Sequence, residues 1–240
     1  MKAARCKDAL IAVYNRLISF GRLRGKIMSP VIVAISGFTS EVGKTTLLCE
    51  LLRAFPGWEA IKMTRGHYRS CGKDPHACCV SHLLEDKPVI RSGRSATYAL
   101  GKDTGRYWDA GASNVHWAIV TDDQVENGIK LALGQVQAPG VFIEGNSFLE
   151  FLDVDLGVMV TRAEGGKIKA SARRALRKSD ALYLFDSEVE NASGARERFA
   201  SWCQGSSEKG VLSTLPVYTR ETLDELVRRI PESHSTAAVG

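Results

Sequence analysis

Apolar and polar positions along the chain follow two periods. Short apolar runs rich in β-branched residues occur at 31–36, 59–63, 115–120, 140–144, 155–160 and 181–185, and their length and composition predict strands. Between them lie longer stretches in which apolar residues return every three or four positions, at 44–54, 122–137, 167–179, 188–203 and 220–229; this spacing predicts helices with one buried face. Strands that are apolar throughout, alternating with amphipathic helices, predict a mostly parallel sheet covered on both faces: an α/β fold, a three-layer sandwich. Two segments stand outside the pattern. Residues 3–24 place Leu10, Tyr14, Leu17 and Ile18 on one side of a helix and Arg5, Lys7, Arg16, Arg22 and Arg24 elsewhere, which reads as a basic amphipathic helix docked on the core, lying on a membrane surface or meeting a partner. Residues 68–106 keep no clean period and carry Cys, His, Gly and Pro, which predicts a long loop or insertion.

Composition bounds this picture. With 240 residues, 44% of them hydrophobic and 25% charged, the chain can bury a sizeable core. One domain over 29–230 is expected, with an insertion at about 68–100, an N-terminal extension over 1–28 and a flexible tail over 231–240. A start at Met28 is an alternative, because the first strand follows it directly. The net charge is +5, but 32 basic residues are nearly matched by 27 acidic ones, so charge does not call for nucleic acid. No secretory pattern stands at the N-terminus and no apolar run reaches the roughly 18 residues that a membrane span needs; a cytoplasmic protein is expected.

The chemistry concentrates after the first strand. Ile32-Val-Ala-Ile-Ser-Gly37-Phe-Thr39-Ser40-Glu41-Val42-Gly43-Lys44-Thr45-Thr46 has the order strand, glycine-containing turn, Gly-Lys-Thr and helix. In that order the backbone N–H groups of the turn and of the helix N-terminus point at phosphates and the helix dipole favours negative charge. Lys44 would reach the β and γ phosphates and the Thr45 hydroxyl would ligate Mg²⁺. Five residues separate Gly37 from Gly43, where the common P-loop has four. A metal-bound phosphate also calls for acids at other strand ends, and Val141-Phe-Ile-Glu144-Gly145 supplies one: Glu144 would hold Mg²⁺ directly or through water.

Gly-x-Thr-x-Glu-Val-Gly-Lys-Thr resembles the phosphate loop of dethiobiotin synthetase, and Gly101-Lys-Asp103-Thr104-Gly-Arg106-Tyr-Trp-Asp-Ala110-Gly111-Ala112 resembles a stretch of the molybdopterin-guanine dinucleotide biosynthesis protein B family. Ile61-Lys62-Met-Thr64 and Phe142-Ile-Glu144-Gly145 resemble the ends of that family's second strand and of its acidic strand. The resemblance covers about residues 31–144. It implies a small P-loop NTPase that binds GTP with Mg²⁺ and acts beside the guanylyltransferase of molybdenum-cofactor maturation, with Asp103 at the metal or nucleotide and with Lys62 and Arg106 facing phosphate. The loop spacing alone favours a second reading, an ATP-dependent ligase that phosphorylates a carboxylate. A third is an adapter that binds nucleotide without turning it over. A homodimer is compatible with each. Guanine is favoured over adenine only by the family resemblance, since Thr161-Arg162-Ala-Glu164, where related proteins contact the base, is not Asn-Lys-x-Asp.

One cluster belongs to neither resemblance. His67, Cys71, His76, Cys78, Cys79 and His82 fall within sixteen residues, enough soft or borderline ligands for Zn²⁺, an iron–sulfur cluster or a redox pair. Their spacing is not a standard finger pattern, and unliganded loop thiols are the plainer reading.

Overall fold

The computed structural model describes residues 29–67, 80–185 and 192–237. The expected N-terminal helix and most of the Cys/His cluster lie outside these residues. Eight strands form a single sheet: β1 (Val31–Gly37), β2 (Glu59–Arg65), β3 (Val89–Ser92), β4 (Val115–Val120), β5 (Gly140–Glu144), β6 (Leu156–Thr161), β7 (Ala181–Leu184) and β8 (Val217–Tyr218), in the order β3-β4-β2-β5-β1-β6-β7-β8. Every neighbouring pair is parallel except β3 with β4. This is the α/β three-layer sandwich expected from the alternation.

The two periods account for the layers. Along β1, Val33 and Ile35 enter one core, with Leu47, Leu48, Leu51 and Leu52 of α1 (Lys44–Ala54), Tyr107 of α2 (Asp103–Asp109) and Leu226, Val227 and Ile230 of α6 (Leu223–Ala237). Ala34 between them faces the second core, with Ile129 of α3 (Val125–Leu133), Ala172 and Leu176 of α4 (Ala170–Leu176) and Phe199 of α5 (Ala192–Gln204). Alternate residues of a strand point to opposite faces, so an unbroken apolar strand such as Val-Ile-Val-Ala-Ile serves both cores. Burying side chains of this size is worth about 1.5–3 kcal/mol each, and polar side chains in the central strands fall near their ends, apart from Lys62 in the middle of β2.

Three expectations change. The span 68–100 is not a long loop where it is described: β3 pairs in antiparallel register with β4 through Ile90 opposite Ala118 and Ser92 opposite His116, and a helical turn, Arg94–Thr97, follows. At four residues, with Arg at its third position, β3 is too short for periodicity to reveal. The segment Asp103–Asp109 is a helix, α2, and not part of a connection. Finally, α6 continues to Ala237, past Pro231 where a tail was expected. A proline withholds one backbone donor, and the buried stripe of Leu226, Val227 and Ile230 anchors the helix ahead of it. Among the described residues no helix is long and apolar enough to cross a membrane.

All the parallel strands point the same way, so the carboxyl ends of β1, β2, β5 and β6 meet on one edge. From β1 the chain crosses to β2 on one side, and after β5 it crosses to β6 on the other. Ligands of open α/β sheets bind at such a reversal, outside the carboxyl ends of the strands.

Candidate functional site

The loop between β1 and α1 occupies that edge. Gly43 is the N-terminal cap of α1 at φ 95°, a left-handed conformation open to glycine at little cost. A β-carbon there would lie 2.2 Å from the Phe185 ring, so this position is glycine for two reasons. Glu41 also has positive φ, 60°; the five-residue spacing is absorbed by this left-handed residue and the turn around it. The base of the loop is clamped by Asn146, which accepts from Gly37 N at 2.9 Å and donates to Gly37 O at 2.9 Å.

Lys44 folds back across the loop and donates to Thr39 O at 2.7 Å. Burial holds its ammonium below the usual lysine range; Lys62 and Lys169 act in the same direction, against Glu144 and Asp103. On the outer side of the loop, Lys169 donates to Ser40 Oγ at 3.0 Å and Arg162 to the Glu41 carbonyl at 3.3 Å. The segment after β6 thus braces the Gly37–Thr46 loop, and its backbone joins in through Lys169 N to Phe38 O at 3.1 Å.

Beside the loop stands a compact polar network. Glu144, 2% exposed at the end of β5, accepts from Thr45 Oγ1 at 2.8 Å, from Lys62 Nζ at 2.5 Å and from the Tyr107 hydroxyl. Asp103, at the N-terminus of α2, lies 3.0 Å from Thr45 Oγ1 and 2.6 Å from Lys62 Nζ. The Thr45 hydroxyl has one proton for its two carboxylate neighbours, and as a metal ligand it would use a lone pair. For Lys62, burial alone would lower the pKa, but Glu144 and Asp103 outweigh it and the net shift is upward. Asp103 goes the other way: desolvation opposes ionisation, and the Lys62 charge with the hydrogen bonds from Lys62 and Thr45 holds its carboxyl below the usual range. Burial and then the Glu144 charge push the Tyr107 phenol far up, so it is a fixed donor. One helical turn after Asp103, Arg106 donates to Thr46 Oγ1 at 3.0 Å.

The structure thus brings together on one edge Gly37, Thr39, Ser40, Glu41, Val42, Gly43, Lys44, Thr45, Thr46, Lys62, Asp103, Arg106 and Glu144, which the sequence placed in four separate segments. Lys62 and Glu144 are register partners in adjacent strands. Hard oxygen donors, one hydroxyl and two carboxylates, suit Mg²⁺; Thr45, Asp103 and Glu144 would hold it. Tyr107, Asn146 and Lys169 were not found in the sequence. Tyr107 is four residues beyond Asp103 on the same helix face, a spacing that could have shown it; nothing local marks Lys169. Of the Cys/His cluster, His67 lies half-buried just beyond β2, and His82 is exposed in a short 3₁₀ turn, Ser81–Leu83. Cys71, His76, Cys78 and Cys79 lie outside the described residues, and among those described no group of three or more His, Cys, Asp and Glu could hold a metal.

The three-layer α/β fold, with its mostly parallel eight-stranded sheet, is consistent with that of a P-loop NTPase. No protein-family model matches the sequence, and no match is found among curated proteins. Among solved structures it is similar to a plasmid partition protein from Borrelia burgdorferi, with 12% identity over 79% of this chain and 78% of that one and a TM-score of 0.28.

Proposed function

We propose that the chain binds a nucleoside triphosphate with Mg²⁺ on the Gly37–Thr46 loop and hydrolyses it. The observation that carries this reading is the Thr45 hydroxyl, held at 2.8 Å from Glu144 and 3.0 Å from Asp103 at the N-terminus of the helix that Gly43 begins. A phosphate cradle and a hard-cation ligand set share that one residue. In this reading the loop N–H groups and Lys44 take the phosphates, whose negative charge offsets the burial that disfavours the Lys44 ammonium. Thr45, Asp103 and Glu144 would hold the metal, which would supply positive charge against the negative charge that develops in phosphoryl transfer. Arg106 braces α1 through Thr46, and Lys62 stands between the acids. The catalytic assignment covers Lys44, Asp103 and Glu144.

The resemblance of residues 31–144 to the molybdopterin-guanine dinucleotide biosynthesis protein B family supports GTP as the nucleotide and cofactor maturation, beside a guanylyltransferase, as the setting. A dethiobiotin-synthetase-like ligase is the second reading, favoured by the loop that the left-handed Glu41 lengthens. A panel of fluorescent GTP and ATP analogues with Mg²⁺, combined with phosphate release, tests both. Slow basal GTP turnover that Lys44→Ala abolishes is the expected result, since the variant deletes a phosphate charge and no core contact. Unchanged nucleotide affinity in folded Lys44→Ala would refute the P-loop assignment; ADP formation only with a carboxylate substrate would favour the ligase.

A further inference from the structure

The oxygens that suit a divalent cation already surround one positive charge. Lys62 Nζ lies 2.6 Å from Asp103 Oδ2 and 2.5 Å from Glu144 Oε1, and Thr45 Oγ1 touches the other oxygen of each carboxylate. The Lys62 side chain is 18% exposed and that of Glu144 3%, so water screens this pair weakly, while Asp103, at 40%, is the more solvated partner. Lys62 rises from the middle of β2, paired on one side with Glu144 of β5 and on the other with Trp117 of β4; its backbone is fixed and only the flexible stem can turn. A cation bound by Asp103, Glu144 and Thr45 would share both carboxylates with the Lys62 ammonium, and two like charges on the same pair of carboxylates repel strongly. Two carboxylates and one ammonium leave a single negative charge, a poor host for a lone hard dication that gives up its water reluctantly. A triphosphate changes the balance: its oxygens complete the metal's shell and offer Lys62 a new anionic partner.

We infer that Lys62 is a tethered competitor of the divalent cation, exchanged from Asp103 and Glu144 to phosphate when metal and nucleotide arrive together, so that the nucleotide-free protein rejects metal. The inference rests on the Mg²⁺-nucleotide reading above and adds an order of assembly to it. The test is Mn²⁺ binding to the nucleotide-free full chain, followed by the paramagnetic signal of free Mn²⁺, in the wild type and in Lys62→Met, Lys62→Gln and Lys62→Arg. The neutral variants are expected to bind Mn²⁺ at least about tenfold tighter than wild type, a difference of about 1.4 kcal/mol, and their melting temperatures are expected to rise with Mn²⁺ more than that of the wild type. Lys62→Arg keeps the charge and is expected to bind Mn²⁺ as weakly as the wild type. Two neutral variants are used because either one, folded by circular dichroism, decides the matter. A neutral variant that binds Mn²⁺ no tighter than the wild type, in a protein whose wild type binds Mn²⁺-GTP or Mn²⁺-ATP, overturns the inference and leaves the parent reading standing. A wild type that binds neither nucleotide overturns both.

Discussion

Glu144→Gln separates the metal role of this carboxylate from its structural one, and the geometry sets the size of both. Glu144 is 2% exposed and receives Thr45, Lys62 and Tyr107. Removing one member of a buried ion pair commonly costs about 3–5 kcal/mol, because the other charge is left without a partner. Here Lys62 keeps Asp103 at 2.6 Å. The amide oxygen can still accept from Lys62, while its NH₂ faces Thr45, whose proton can pass to Asp103 at 3.0 Å. The expected loss of stability is therefore smaller, about 1–3 kcal/mol, read as a shift in the urea midpoint of nucleotide-free protein. Binding follows different logic. A neutral amide is a weaker Mg²⁺ ligand than a carboxylate, so nucleotide affinity measured with Mg²⁺ is expected to fall by tenfold or more. Affinity measured in chelator should hold or rise slightly, since one negative charge has left the neighbourhood of the phosphates. Titration of a fluorescent nucleotide analogue under the two conditions gives the contrast. Equal losses with and without metal would refute the ligand role and leave Glu144 as a structural acid that orients Lys62 and Tyr107.

Two further perturbations test the frame around the site. Gly43→Ala combines a left-handed φ of 95° with a β-carbon 2.2 Å from Phe185 and is expected to cost about 2–4 kcal/mol in denaturant unfolding, against about 1 kcal/mol for Gly166→Ala, where φ is 116° and nothing lies within 4 Å; equal costs would show that the ring contact is absent in solution. Away from the site, Glu59 is 4% exposed and bonded to His116 Nε2 at 2.7 Å and to the N–H groups of Gln137 and Ala138 at 3.0 Å each. Burial works against its ionisation, yet these bonds and the His116 charge outweigh it and hold the carboxyl below the ordinary range. A folded-state value below the unfolded one gives stability that is present above the ordinary glutamate range and lost as pH falls through the lowered value. Glu59→Gln is thus expected to cost about 2–4 kcal/mol at pH 7 and progressively less on acidification; a gap to wild type that stays constant down to pH 3 would contradict the assignment.

How far the sequence revealed this protein depended on whether the evidence was local. The strand–loop–helix from Val31 to Ala54 could be read because each of its requirements sits in neighbouring residues: β-branched residues for the strand, glycine where φ is positive, then Lys-Thr-Thr at the head of an amphipathic helix. The acidic strand ending at Glu144 was legible for the same reason. β3 was not, since four residues carry too little periodicity and its place beside β4 depends on the long-range Ser92–His116 and Arg91–Trp117 pairs. The fate of the segment after β6 was equally hidden. Arg162 donates to the Glu41 carbonyl across 121 residues of sequence, at a residue whose backbone is left-handed, and no local pattern announces a contact of that range.

The same distinction explains why the resemblance could suggest Lys62, Asp103 and Glu144 singly yet not what they do to one another. Glu144 and Asp103 sit at the ends of their elements and Lys62 in the middle of β2, each on a backbone that the core fixes: β2 and β5 by their pairing, α2 by the wholly buried Tyr107. Convergence follows from register. Lys62 opposite Glu144 is a statement about which residue of β2 pairs with which of β5, and a slip of one residue would turn Lys62 to the other face of the sheet. What sets that register is apolar: Ala60 with Phe142 and Ile61 with Ile143 in adjacent strands, each 0% exposed. Ion pairs of this kind contribute little net stability once desolvation is counted, so the polar network does not hold the sheet in place. The two cores position the charges, and the charges, free of a structural duty that metal or phosphate would disturb, can exchange partners.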